Sequence, residues 1–76
     1  MSPYSEQDQE YLRKIGLRIR DLRLKIDYSQ DRLAFESGLD RTYVGSVERG
    51  ERNLSLINLR RLAIILKANP NDIIEF

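Results

Sequence analysis

Arginine is the side chain through which this protein can act. Ten of the thirteen basic residues are Arg, and Arg41, Thr42, Ser46 and Arg49 step along a short polar run that also holds Gly45. At helical spacing they share one side with Asp40, while Val44 and Val47 fall on the other. A guanidinium makes two parallel hydrogen bonds to a planar pair of acceptors such as guanine O6 and N7. A face this short and free of bulk fits a groove about 12 Å wide, with Arg41 as the first candidate for base contact and Thr42, Ser46 and Arg49 in support. For Arg49 the structural alternative is an ion pair with Glu48 or Glu51. The chain has no His and no Cys, which removes the usual general base, the thiol nucleophile, the common transition-metal ligands and any disulfide. Its carboxylates have no such partner to work with, so no catalytic residue, no metal and no cofactor is expected.

The elements that would carry this face follow from punctuation and periodicity. The 76 residues make one domain at most. No stretch alternates apolar and polar long enough for a strand, so the expected fold is all-α, a compact bundle of five helices. Ser5 can cap a long first helix with Leu12, Ile15, Ile19, Leu22 and Ile26 on one face, and Gly16 within it suggests close packing against a neighbour. Leu17 and Leu24 lie on another face, either as scattered apolar surface or as a partner contact, the former being favoured. Ser29 caps a second helix that Gly38 ends; Asp40 caps a third, 41–49, that Gly50 ends. Ser55 caps a fourth to about Lys67, and Asn69-Pro70 opens a short fifth that finishes near Phe76.

Two short helices joined by a Gly-containing turn, about 29–50, match the helix-turn-helix unit, whose second helix lies in the major groove. Leu33, Ala34, Ser37, Leu39, Val44 and Val47 meet its need for apolar or small interior residues, Ala34 permitting close approach and Gly38 making the turn. A solvated helix face could carry the same outward residues, but the agreement of interior pattern and exposed face favours DNA reading. Gln30 and the backbone amides near Ser29, Asn53 and Ser55 are the expected phosphate contacts. The net charge of +1 conceals a polarised chain: all 13 bases and 7 of the 12 acids lie between Arg13 and Lys67, a net +6, between acidic ends.

The runs Ser29-Gln30-Asp31-Arg32-Leu33-Ala34, Ser37-Gly38-Leu39-Asp40-Arg41-Thr42-Tyr43-Val44 and Val47-Glu48-Arg49-Gly50-Glu51-Arg52-Asn53-Leu54-Ser55 resemble the Cro/C1-type helix-turn-helix family. The segments 39–43 and 48–53 are similar, more narrowly, to controller proteins of restriction-modification systems. The resemblance implies a five-helix domain that dimerises through its C-terminal helices, binds pseudo-palindromic operators, and regulates its own gene and that of the endonuclease. It also implies DNA contact by Arg52 and phosphate contact by Arg23 and Tyr43, Tyr43 having the alternative of a half-buried ring against the second helix. At Asp27-Tyr28 the chain departs from relatives, which often place a Gly before the second helix.

In the fourth helix Leu56, Leu59, Leu62, Ala63 and Leu66 form one face, enough to close the core. Ile57, Ile64, Ile65, Ile74 and Phe76 exceed what so small a core can hold, so an isologous homodimer built from residues of helices at about 55–76 is expected; the alternative is that the fifth helix covers them within one chain. Double-stranded operator DNA is the expected partner. RNA polymerase is a second candidate through Asp31 and Glu36, though solvated surface accounts for both. An antitoxin-type regulator, a phage-type repressor or a helical interaction module are the rival functions. An acidic amino terminus, Met1 to Asp8, and a longest apolar run of only Leu62 to Leu66 argue against a secretory signal or a membrane span, and for a cytoplasmic protein.

Overall fold

Each helix of the computed structural model begins on a side-chain oxygen that accepts a hydrogen bond from an amide of its own first turn. The structure describes residues 3–76, so Met1 and Ser2 of the acidic amino terminus lie outside the described residues. Helix α1 (Glu6–Lys25) starts at Ser5, whose Oγ accepts from the Asp8 amide at 3.0 Å. Helices α2 (Gln30–Ser37) and α3 (Arg41–Glu48) start at Ser29 and Asp40, which accept from the amides of Arg32 at 3.0 Å and Thr42 at 2.7 Å. Ser55 caps α4 (Leu56–Leu66), and Asn69 caps α5 (Pro70–Ile74). Such caps contribute about 1 kcal/mol each. Gly38 (φ 71°) and Gly50 (φ 78°) turn the chain out of α2 and α3 through the left-handed region. Asp27 (φ 60°) and Lys67 (φ 56°) take the same conformation with a side chain, at a cost a glycine would avoid. The loop before α2 therefore keeps a left-handed residue although its glycine is missing.

The core is built from every helix: Ile15 and Ile19 of α1, Leu33 and Ala34 of α2, Val44 and Val47 of α3, Leu59, Leu62, Ala63 and Leu66 of α4, and Ile73 of α5. Helix α3 packs between α1 and α2, while α4 backs α2 and α5 bridges α1 and α4. Gly16 is where α1 meets α3, since a Cβ there would lie 2.4 Å from the Glu48 carbonyl oxygen and 2.5 Å from that of Val47. At the far end the Tyr11 hydroxyl donates to the Ile74 carbonyl at 2.7 Å, and Arg18 donates to that of Asp72.

Three apolar placements differ from the sequence expectation. Leu56, the first residue of α4, projects past the elements that cover the Leu59 to Leu66 stripe and is 80% exposed. Ile65 sits beside Leu62 on the helix and is half-buried against the core, as is Ile74; both are largely used within the chain. Helix α5 ends at Ile74, two residues before Phe76. Ile57 and Ile64 lie on the opposite side of α4 and are exposed, as is Phe76, although Tyr11 meets its ring edge-on at 6.0 Å and the Arg18 guanidinium lies 4.5 Å from its centre. Leu17 and Leu24 of α1 are exposed.

Candidate nucleic-acid interface

Helix α3 is held in place by one buried polar network. Glu48, its last residue, accepts from Arg23 of α1 through two hydrogen bonds, Nε to Oε2 at 2.7 Å and Nη2 to Oε1 at 2.9 Å. Gln30 of α2 donates its amide to the same Oε1 at 2.9 Å, and Arg23 also donates to the Tyr28 carbonyl at 2.9 Å. Three elements thus meet on one carboxylate. The hydrogen bond to Glu48 holds the Arg23 guanidinium more firmly protonated than usual, burial opposes this, and the charge of Glu48 adds to it. Among the described residues no buried side-chain polar atom is left without a partner, so the pair fixes the helix without leaving a desolvated charge behind.

On the outward side of α3 the arginines gather around one glycine. Arg41 and Thr42 are exposed, and the Arg41 Nε lies 3.3 Å from Asp31 Oδ1. Arg49 donates through Nε and Nη2 to Glu51 at 3.0 and 3.1 Å. Arg52 donates through Nε to Ser46 Oγ at 3.1 Å, with its guanidinium 5.6 Å from the centre of the Tyr43 ring. A Cβ placed on Gly45 would sit 2.9 Å from Arg41 Nη1 and 3.2 Å from Arg49 Nη1, with Gln30 Oε1 at 3.7 Å. Two guanidinium groups therefore converge over a position whose lack of a side chain makes room for them.

Several expected site residues stand elsewhere than the sequence suggested. Ser46 is not an outward reader: it is buried beneath Arg52, and its hydroxyl donates to the Tyr43 carbonyl at 2.7 Å. Arg23, assigned to phosphate by resemblance, is buried and committed to Glu48. The Gln30 side chain is half-buried and likewise turned to Glu48, which leaves its place at the start of α2 as the feature that could face phosphate. Arg49 makes the ion pair with Glu51 and not with Glu48. Tyr43 is half-buried against the core; Ser29, Asn53 and Ser55 are exposed, Ser29 and Ser55 using their hydroxyls as helix caps. Asp31, Gly45 and Glu48 are the contributors the reading face did not announce. The Arg49-x-Glu51 spacing was a usable signal for one pair; nothing local links Arg23 to Glu48, 25 residues away. Among the described residues no cluster of His, Cys, Asp or Glu could hold a metal, and no helix is long and apolar enough to cross a membrane.

Two helices joined by a tight turn, the second locked by a buried salt bridge and presenting arginines outward, define a helix-turn-helix DNA-binding domain. A helix-turn-helix family model matches residues 19–73. The chain is 44% identical over 62 residues to the control protein C.BamHI of Bacillus amyloliquefaciens, covering 80% of this chain and 76% of that one. Its fold superposes on the restriction-modification controller protein C.AhdI from Aeromonas hydrophila with a TM-score of 0.80 at 53% identity, covering 82% and 94% of the two chains. It superposes on C.Esp1396I bound to a 25 base pair operator with a TM-score of 0.71 at 36% identity, covering 78% of each. The chain belongs to the Cro/C1-type helix-turn-helix family and, within it, to the controller proteins of restriction-modification systems. It is a DNA-binding regulator.

Proposed function

We propose that this protein binds a pseudo-palindromic operator as a homodimer and controls transcription of a restriction-modification locus, its own gene and that of the endonuclease included. The observation that carries this reading is the exposed face at α3, where Arg41 and Arg49 converge over Gly45, with Thr42 and the loop residue Arg52 exposed alongside, on a helix pinned from behind. Arg41 is the principal base reader, with Thr42, Arg49 and Arg52 beside it. Phosphates are held by the start of α2 at Ser29 and Gln30, by Tyr43, and by the exposed loop at Asn53 and Ser55. Two copies joined through Ile57, Ile64 and Phe76 would place their α3 helices about one DNA turn, 34 Å, apart. RNA polymerase is the second partner proposed, met at α2 where Asp31, Glu36 and the 86%-exposed Phe35 lie together. The work is binding and not catalysis, and its place is the cytoplasm, on the nucleoid. The controller relatives favour this over an antitoxin or a phage-type repressor.

The test is selection of duplexes from a randomised pool followed by affinity measurement on the selected and on random DNA. Arg41→Ala should cost about 1–3 kcal/mol on the selected duplex and relax its sequence preference. Equal losses on both DNAs would remove base reading from Arg41, and failure of the wild type to enrich any sequence would remove the operator reading altogether.

A further inference from the structure

The arginines of the reading face share a detail of attachment. Each turns Nε to an oxygen: Arg49 donates from it to Glu51 and Arg52 to Ser46 Oγ, while in Arg41 it lies 3.3 Å from Asp31 Oδ1 in an ion pair. A guanidinium carries five N–H donors in a rigid plane. In Arg49, the most completely held, Glu51 takes Nε–H and one N–H of Nη2, while Nη1 lies over Gly45 beside Nη1 of Arg41. The donors left over, on Nη1 and Nη2, form the adjoining end-on edge of the plane, the pair that would meet guanine O6 and N7. Ion pairing and base reading therefore use different edges of one group and do not compete.

From this arrangement we infer that Glu51 is a positioning residue for DNA recognition, holding Arg49 by its Nε edge through two hydrogen bonds so that the end-on edge is presented to a base before DNA arrives, a firmer hold than Asp31 has on Arg41 or Ser46 on Arg52. The inference rests on the operator reading above. Ordering a long side chain on binding costs conformational entropy, and a side chain already held loses less. The tether is itself exposed, so its value lies in orientation and not in stability.

The sign of the effect separates this role from the obvious alternative. A carboxylate near DNA repels phosphate, and removing it should raise affinity for any sequence. A tether lost should instead lower affinity for the selected duplex. For Glu51→Ala we expect about a three- to ten-fold loss on the duplex selected by the wild type, with unchanged or tighter binding to random DNA. Glu51→Asp, one methylene shorter but still a carboxylate, should recover part of the loss. In an Arg49→Ala background Glu51→Ala should no longer weaken binding to the selected duplex. Equal tightening on both DNAs would overturn the inference, as would a loss that persists without Arg49, since Glu51 would then act on its own. Unaltered circular dichroism and melting temperature show that the variants are folded. A wild type that does not distinguish the two DNAs, by contrast, would defeat the operator reading itself.

Discussion

At the scale of single residues, Gly45 shows how recognition and stability pull apart. In the middle of α3 a glycine costs about 1 kcal/mol relative to alanine. The methyl of Gly45→Ala would press only on the ends of two flexible arginines, with Gln30 Oε1 at an ordinary contact distance of 3.7 Å. This variant should therefore melt higher by a few degrees while binding the selected duplex more weakly, a combination that calorimetry and a binding isotherm would reveal together. Weaker binding with a lower melting temperature would mean the helix itself is disturbed. Glu51 offers a second readout. The hydrogen bond from Arg49 and the charges of Arg49 and Arg52 hold its carboxyl below the usual carboxylate range, slight desolvation opposing them. A depressed carboxyl favours the fold above its unfolded value and loses that contribution as pH falls through the folded one, and for so exposed a group the contribution is small. An NMR titration should find Glu51 protonating later than an ordinary glutamate as acid is added, and returning toward the ordinary value in Arg49→Ala. A titration unchanged by that substitution would mean the pair is not formed in solution.

At the scale of elements, α3 is oriented by what lies behind it. The Arg23 and Glu48 side chains are almost wholly out of solvent, and removing one partner of such a pair costs about 3–5 kcal/mol because the other charge stays buried. A domain of this size has only about 5–10 kcal/mol in total. Glu48→Ala should thus be largely unfolded at moderate urea, whereas Arg23→Met with Glu48→Met should regain most of the loss. A double variant as unstable as the single would assign the cost to the hydrogen bonds with Gln30 and Tyr28. Much of this level was legible in the sequence: the capping residues, the two left-handed glycines and the Val44 and Val47 stripe placed the helices almost to the residue, because these signals are local. The exposure of Arg41 and Arg49 on the outer side of α3 was legible for the same reason. Ser46 was misplaced because a helical wheel does not know that Arg52, from the following loop, folds back over it. Arg23 was assigned to phosphate by resemblance, and nothing local pointed to its true partner, Glu48, which is remote in sequence.

At the scale of the molecule, charge and apolar surface divide the labour. The bases are gathered between two acidic ends, so a near-neutral protein can still present a basic face to DNA. On α4, Ile57 and Ile64 are 63% and 65% exposed and share one side of the helix, which suits a self-complementary contact. Ile64→Glu should leave the melting curve of the single domain intact, yield a monomer in sedimentation at tens of micromolar, and weaken operator binding far more than random binding. A persistent dimer would move the interface off α4. One more property follows from the meeting of α1 with α3 at Gly16 and at the Arg23 to Glu48 pair. The segment 29–50 is not a transplantable cassette. Grafted into another scaffold, it would keep its reading side chains but lose the floor they stand on, so exchange of DNA specificity between such proteins requires residues of the first helix to travel with the second and third.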